Sequence, residues 1–441
     1  MVRVKTIEIA WHNVEKTNQP ILSVDFNPRT GALATAGADN EIKLWRVDRS
    51  IDGEVTVTHT ETLTGHAKAV NCCRFSANGR ALASAGDAGD VYVWREVDVG
   101  STTVNSHGDV VGWKPMKTLR GHSDDALSVC WGPRETLASA SVDNTTILWD
   151  CESGNGVVQL REHAHYVQGV SYDPRGEFIV SQSPDRTAQV YAVVGGGKPS
   201  AKSVKHVRAI KAINDTNERV DGGRMASIFH DDSMTSFFRR PAWSPDGSFV
   251  VFPAGVFKRP GAKRAMHTTY VYARGNFETP VMHLPGGETP SVCVRFNPVL
   301  FKRRKDAADP TTPSDLPYRV VFAVCSQDGV TIYDTDETEP IVYVAGIHCT
   351  SITDCAWSPD GGMLVVSSTD GFASVVAFDE GELGAPETNI PEHVKSLLAS
   401  SRIGESVPDE VVVVAPAVPN PVAAGPGPTR IAPVRIAPTP M

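Results

Sequence analysis

Histidine, serine, aspartate and tryptophan recur in this chain at spacings that could build a nucleophilic site. His122, Ser139 and Asp143 form one set, and His66 with Ser84 begins another. A serine hydroxyl, a histidine to take its proton and a carboxylate to orient that histidine are the parts of a hydrolase triad. The pattern returns, however, in successive segments that close on Trp94 and Trp149, whereas an active site is needed once. Recurrence favours a buried hydrogen-bonded set, because polar groups withdrawn from water must be paired. Two further motifs fail on spacing. In "GGGKPS" (195–200), Pro199 follows the lysine where a phosphate loop needs Ser or Thr. "HAH" (163–165) offers two metal ligands with no carboxylate or cysteine nearby to complete them. The eight cysteines include no C-x-x-C pair, and most lie in apolar runs such as "SVCVRF" and "FAVCSQ". They read as reduced, buried thiols in a reducing compartment. No catalytic residue, cofactor or metal is expected.

The elements that would hold the recurrent set are short alternating strands. "LTGHAKAVNCCRFSANGRALASAGDAGDVYVW" (63–94) aligns with "LRGHSDDALSVCWGPRETLASASVDNTTILWD" (119–150), and "EHAHYVQGVSYDPRGEFIVSQSPDRTAQVY" supplies a third copy ending at Tyr191. An earlier copy, "SVDFNPRTGALATAGADNEIKLW" (23–45), lacks the histidine; later ones end near Tyr272, Tyr333 and Phe378. Turn formers such as "SPDG", "NPRTG" and "DPRG" break the runs. A GH…WD pattern at a period of about 40–45 residues is the signature of a WD40 β-propeller. Seven units predict an all-β, seven-bladed ring, and "VRVKTIEIAW" near the N-terminus predicts a strand that completes the last blade.

Of 441 residues, 41% are apolar and 21% charged, which suits a globular chain with a large core. No apolar run approaches the ~20 residues that span a bilayer, and the first eleven residues lack a signal-peptide core, so no membrane is expected. The net charge of −9 argues against wrapping duplex DNA and fits basic partners, histones among them.

The spacing between blade ends is uneven, and the excess falls at about 194–238 and 299–317. Propeller insertions emerge as rim loops, where binding concentrates. In the first, Phe229, His230, Asp231, Asp232, Phe237, Phe238, Arg239 and Arg240 mix acids, aromatics and arginines. They read either as an anchor surface for another subunit or as a buried inner strand of blade five. Lys302–Arg303–Arg304–Lys305 reads as a nuclear-import or phosphate patch, or as a solvated loop. Beyond residue 383 the composition changes. A short helix is predicted over 391–402, and 411–441 holds eight prolines and no aromatics, so 384–441 is expected as a flexible, disordered tail reaching roughly 40 Å. It ends in "RIAPVRIAPTPM". Ile431 or Ile436 can fill an apolar pocket, Arg430 or Arg435 can pair with a carboxylate, and Pro433 or Pro438 presets an extended backbone. Such a peptide can add as a strand to a sheet edge.

The strings "FHDDSMTSFFRRPAWSPDGSFVVFPAG" (229–255), "LPYRVVFAVCSQDGVTIYDT" (316–335) and "SSTDGFASVVAFDEGELG" (367–384) resemble the WD-repeat middle subunit of chromatin assembly factor one. "WHNVEKTNQPILSVDFNP" and "GADNEIKLWRV" are similar to that family too. The resemblance covers about 1–384. It implies a non-catalytic nuclear scaffold that helps deposit newly made histones H3–H4 on replicating or repaired DNA, touching DNA only indirectly. It further implies a large subunit and a smaller histone-binding propeller as partners. The family's tail carries an Arg-Ile-x-Pro-like peptide that docks on the anti-silencing-function histone chaperone, which points to Arg430, Ile431 and Pro433 and to Arg435, Ile436 and Pro438. Here Thr429 and Val434 precede the arginines, where the family often has a second basic residue. The alternatives are the replication-independent histone chaperone with a similar propeller and a ubiquitin-ligase substrate receptor. The latter usually shows W-D-x-R, where this chain has "WRVD", "WREV" and "WDCE".

Overall fold

The computed structural model describes residues 2–50, 52–98, 111–195, 202–211, 227–258, 264–304 and 314–400, with short pieces at 200, 219–220, 224–225, 262 and 435–436. Seven antiparallel sheets follow one another along the chain, each the blade of a propeller. Blade one is built from Ile21–Phe26, Leu33–Gly37, Ile42–Arg49 and Val55–Leu63, and the next five repeat the plan. Blade seven takes only three strands from its own repeat. Its fourth is Arg3–Ile7 from the N-terminus, antiparallel to Ala373–Ala377 with Arg3 opposite Ala377 and Ile7 opposite Ala373. The two ends of the propeller sequence thus close the ring with a full strand of pairing, as the sequence predicts.

Each blade is graded from axis to rim. The second strands of the first three blades, "LATAG", "ALASAG" and "TLASAS", are buried along their whole length. They are packed on both faces, and the small side chains of Ala, Ser and Thr let neighbouring blades approach closely. Outer strands such as Val55–Leu63 mix buried and exposed positions, because only part of their surface meets a neighbour. Turns carry the expected chemistry. In "SPDG" of blade five, Ser244 and Ser248 bond the Asp246 carboxylate and Gly247 takes φ 70°, a conformation glycine adopts without strain.

Two segments depart from the expected insertions. Residues 204–210 of the first are no loop but the fourth strand of blade four, paired with Thr187–Val193. Ser291–Phe301 of blade six runs longer than its counterparts and is met by Pro386 across an isolated bridge from Phe301. The chain therefore does not leave the body at residue 384. The helix Glu392–Ser400 forms where predicted, and its Val394 is fully buried with Leu300, Tyr318 and Val320 of blade six. No helix among the described residues is long and apolar enough to cross a membrane.

Candidate functional site

The histidine sets lie inside the blades. His122 Nδ1 is 2.9 Å from the Asp143 carboxylate and its Nε2 2.7 Å from Ser139 Oγ, while Trp149 Nε1 donates to the same hydroxyl at 2.8 Å. His163 repeats this with Asp185 at 2.9 Å and Ser181 at 2.8 Å, so the first histidine of "HAH" is a blade residue, not half of a metal site. His66 keeps Ser84, which also accepts from Trp94. Blade one, expected to lack its histidine, has one after all. His12 reaches in from the N-terminal segment, bonding Asp39 at 2.6 Å and Thr35 at 2.8 Å. The residue was missed because it lies before its repeat rather than within it. Blade seven uses His348 and Asp370 at 3.0 Å. The hydroxyls of Ser84, Ser139, Ser181 and Thr35 are enclosed by their blades and offer no face to a substrate.

The strongest polar assembly was not foreseen. On the axis, Asp354 of blade seven is fully buried and meets Arg74 of blade two at 2.6 Å, Arg295 of blade six at 3.0 Å and Arg240, leading into blade five, at 3.6 Å. Ser23 of blade one donates to the same carboxylate at 2.8 Å. Asp25 completes the group, and burial lifts its carboxyl to about 6 despite Arg74 beside it. A signal existed in the repeat. Asp25, Arg74 and Arg295 each precede an aromatic on the first strand of a blade ("DF", "RF", "RF"), a position that other blades fill with Cys130, Ser171, Ala242 or Ala356. Charge at one register position, on strands facing a common axis, predicts ion pairing across it.

This assembly decides how the segment 229–240 is read, because the eight singled-out residues divide. Phe229 is buried against Phe252 and Tyr270, with ring centres 6.1 and 6.0 Å away. Phe238 is buried under the Arg240 guanidinium, 4.2 Å from its ring centre. Arg240 crosses the axis to donate to the carbonyls of Leu22 at 3.0 Å and Asn71 at 2.9 Å. Arg239, fully buried, donates to the carbonyls of His230 and Asp231, and burial lowers its pKa to about 10. These four stabilise the fold, and neither arginine reaches the surface as an anchor. Those on the rim are Phe237, 69% exposed, Asp232, and Asp231, which pairs with Arg186. His230 lies between the groups, its Nε2 2.9 Å from His267 Nδ1, its pKa pushed down to about 4 by burial and by that neighbour.

The basic cluster divides, with two arginines paired to carboxylates and an exposed lysine beside them. Arg303 pairs with Asp336 at 3.1 Å and is mostly buried, and Arg304 pairs with Asp334 at 3.5 Å. Lys302 is exposed, and Lys305 lies outside the described residues. Of the tail residues, Arg430, Ile431, Pro433 and Pro438 also lie outside them. The backbone of Arg435–Ile436 forms a short strand running parallel to Val342–Ala345 at the outer edge of blade six, with Arg435 opposite Tyr343 and Ile436 opposite Val344.

A closed ring of seven blades, histidine sets serving packing and a rim segment carrying free side chains define a WD-repeat propeller. The chain belongs to the CAF1B/HIR1 β-propeller family, whose model matches residues 2–383. It is 41% identical to the chromatin assembly factor 1 FAS2 homolog of Oryza sativa, over 87% of this chain and 74% of that one. It is 38% identical to a chromatin assembly factor 1 subunit of Gallus gallus, over 93% and 74%. Protein HIR1 of Kluyveromyces lactis is 28% identical, over 86% of this chain and 44% of that protein.

Proposed function

We propose that this protein is the propeller subunit of a chromatin assembly factor complex, a nuclear, non-catalytic scaffold that helps place histones H3–H4 on newly replicated or repaired DNA. The observation that carries this reading is likeness along the whole propeller to proteins named as chromatin assembly factor subunits, at 38–41% identity against 28% for HIR1. That difference favours the assembly factor over the replication-independent chaperone. The absence of enzymatic work is supported by the blades themselves, whose Ser-His-Asp sets are closed around buried rings.

Within the complex, the propeller together with the helix docked on blade six forms the body that joins the large subunit and the smaller histone-binding propeller. Phe237 and Asp232 on the rim make the subunit contact, with Asp231 holding the loop through Arg186. The tail follows the helix Glu392–Ser400, and its two Arg-Ile-Ala-Pro copies bind the anti-silencing-function chaperone as an added strand. The backbone pairing of Arg435–Ile436 with an edge strand of the body supports that chemistry, since it is the same mode of addition.

The test is a pull-down from nuclear extract with the full chain and a chain ending at Ala423, partners being identified by mass spectrometry. The full chain should bring down a large subunit, a second propeller and H3–H4, and truncation should lose only the chaperone. Recovery of no histone-linked protein would overturn the reading. A Phe237→Ser/Asp232→Lys variant should lose the large subunit while keeping the circular dichroism of the parent.

A further inference from the structure

Three of the eight cysteines meet at one point. Cys293 lies on the first strand of blade six, Cys325 directly opposite it on the second, and Cys355 on the first strand of blade seven. All three side chains are fully buried, and their sulfurs lie within 4.8 Å of one another, Cys293 and Cys355 at 3.8 Å. Nothing in the sequence groups them, because each comes from a different strand and none sits in a short Cys motif. Read singly, they are small apolar residues in a core. Together they are a ligand set.

We propose that Cys293, Cys325 and Cys355 form a closed trithiolate site that takes one soft, three-coordinate metal ion, monovalent copper being the ion of that chemistry, and so ties blade six to blade seven. A metal–sulfur distance of about 2.3 Å places three sulfurs about 4 Å apart around a trigonal ion, close to the spacing already present. The three atoms need to draw in by less than about one ångström, which rotation about the Cα–Cβ bonds supplies.

The donor set selects the ion. Every ligand is a thiolate, and thiolates favour copper(I) and other soft ions over magnesium, calcium or manganese. No imidazole or carboxylate shares the cluster among the described residues. Sites that do chemistry keep a position open for water, and a set walled in by core residues keeps none, so the ion here is structural.

Charge is offset in part next door. Binding releases three thiol protons to solvent and leaves one copper(I) with three thiolates, a net charge of two negatives. Cys355 follows Asp354 in sequence, and Arg295, which pairs with that aspartate, also donates to the Cys355 carbonyl at 3.2 Å. Three guanidiniums, Arg74, Arg240 and Arg295, stand there against the two carboxylates Asp354 and Asp25. The axis therefore holds an excess of positive charge beside the sulfurs, in surroundings that screen it poorly.

A closed site fills as the chain folds, so the full-length protein is produced in cells supplied with copper and purified without oxygen. Metal analysis should find one copper per chain, and X-ray absorption a shell of three sulfurs. Cys355→Ser should lose the copper, as should Cys325→Val, which keeps an apolar side chain and guards against a folding defect. Cys349→Ser, at an exposed cysteine, should keep it. Bound copper should raise the melting temperature of the parent and not of Cys355→Ser. Copper at equal levels in parent and Cys355→Ser, a shell containing nitrogen or oxygen, or a parent free of copper after both supplemented growth and anaerobic titration with copper(I) would each overturn the assignment.

Discussion

Single residues inside the blades carry measurable pH dependence. Burial pushes His66 down to about 4 from an ordinary 6.5, and among the described residues no carboxylate is paired with its ring as Asp143 is with His122. Between these values the unfolded chain takes a proton that the folded chain refuses. Its stabilising effect is present above pH 6.5 and is lost as pH falls to about 4, about 3 kcal/mol in all. Asp185 acts in the next window. Hydrogen bonds from His163 and Thr187 outweigh burial and hold it down to about 2, so its contribution is present above about pH 4 and lost as pH falls from there. In His66→Gln, urea titrations should show a flatter slope between pH 6.5 and 4, with the Asp185 window intact. A residual slope should persist, because His230 is pushed down to the same range. An unchanged slope would mean that His66 is not buried neutral. Arg240 tests the axis. Arg240→Leu leaves the carbonyls of Leu22 and Asn71 without their donor and Asp354 with one cation fewer. Removing one partner from a buried charged network should cost about 3–5 kcal/mol, read from the urea midpoint.

At the scale of elements, the repeat was legible wherever its signal was local. Turn formers, alternating strands and the closing Trp or Tyr lie within about 45 residues of each other, so seven blades and the closing N-terminal strand could be read directly. What could not be read joins distant parts of the chain. His12 serves blade one from outside its repeat, Arg240 bonds Asn71 across 169 positions, and Arg74 meets Asp354 across 280. Composition misled at one boundary. After Phe378 the chain turns polar, yet Pro386 bridges to Phe301 and Val394 is buried, because the lengthened strand of blade six leaves an apolar edge to be covered. The helix Glu392–Ser400 is thus part of the body. Val394→Asp should release it at a cost of about 3 kcal/mol, since a carboxylate cannot stay unpaired among Leu300, Tyr318 and Val320. Limited proteolysis should then cut between residues 384 and 400 before any other site of the propeller. A parent-like pattern would show that the helix is held by something other than that contact.

For the whole molecule, docking of the helix fixes where the tail begins, and the tail begins beside blade six. Thirty-five positions separate Ser400 from Arg435, and the second copy is found on the same blade that anchors the helix. The outer strand of that blade, Val342–Ala345, is where the second copy pairs, running parallel with Arg435 opposite Tyr343. A peptide suited to extending one sheet edge can extend another, so the body and the proposed chaperone draw on the same backbone groups. Under the proposed function the two copies divide the work, the second resting on the body and the first serving the chaperone. In the full chain, amide hydrogen exchange over 342–345 should be slower than in a chain ending at Ala423. Saturating the tail with the chaperone should raise it toward the truncated level. Arg435→Ala/Ile436→Ala should mimic truncation at this strand and leave exchange in blade three unaltered. If the full and truncated chains exchange alike at 342–345, the second copy does not rest there in solution, and both copies compete only for outside partners.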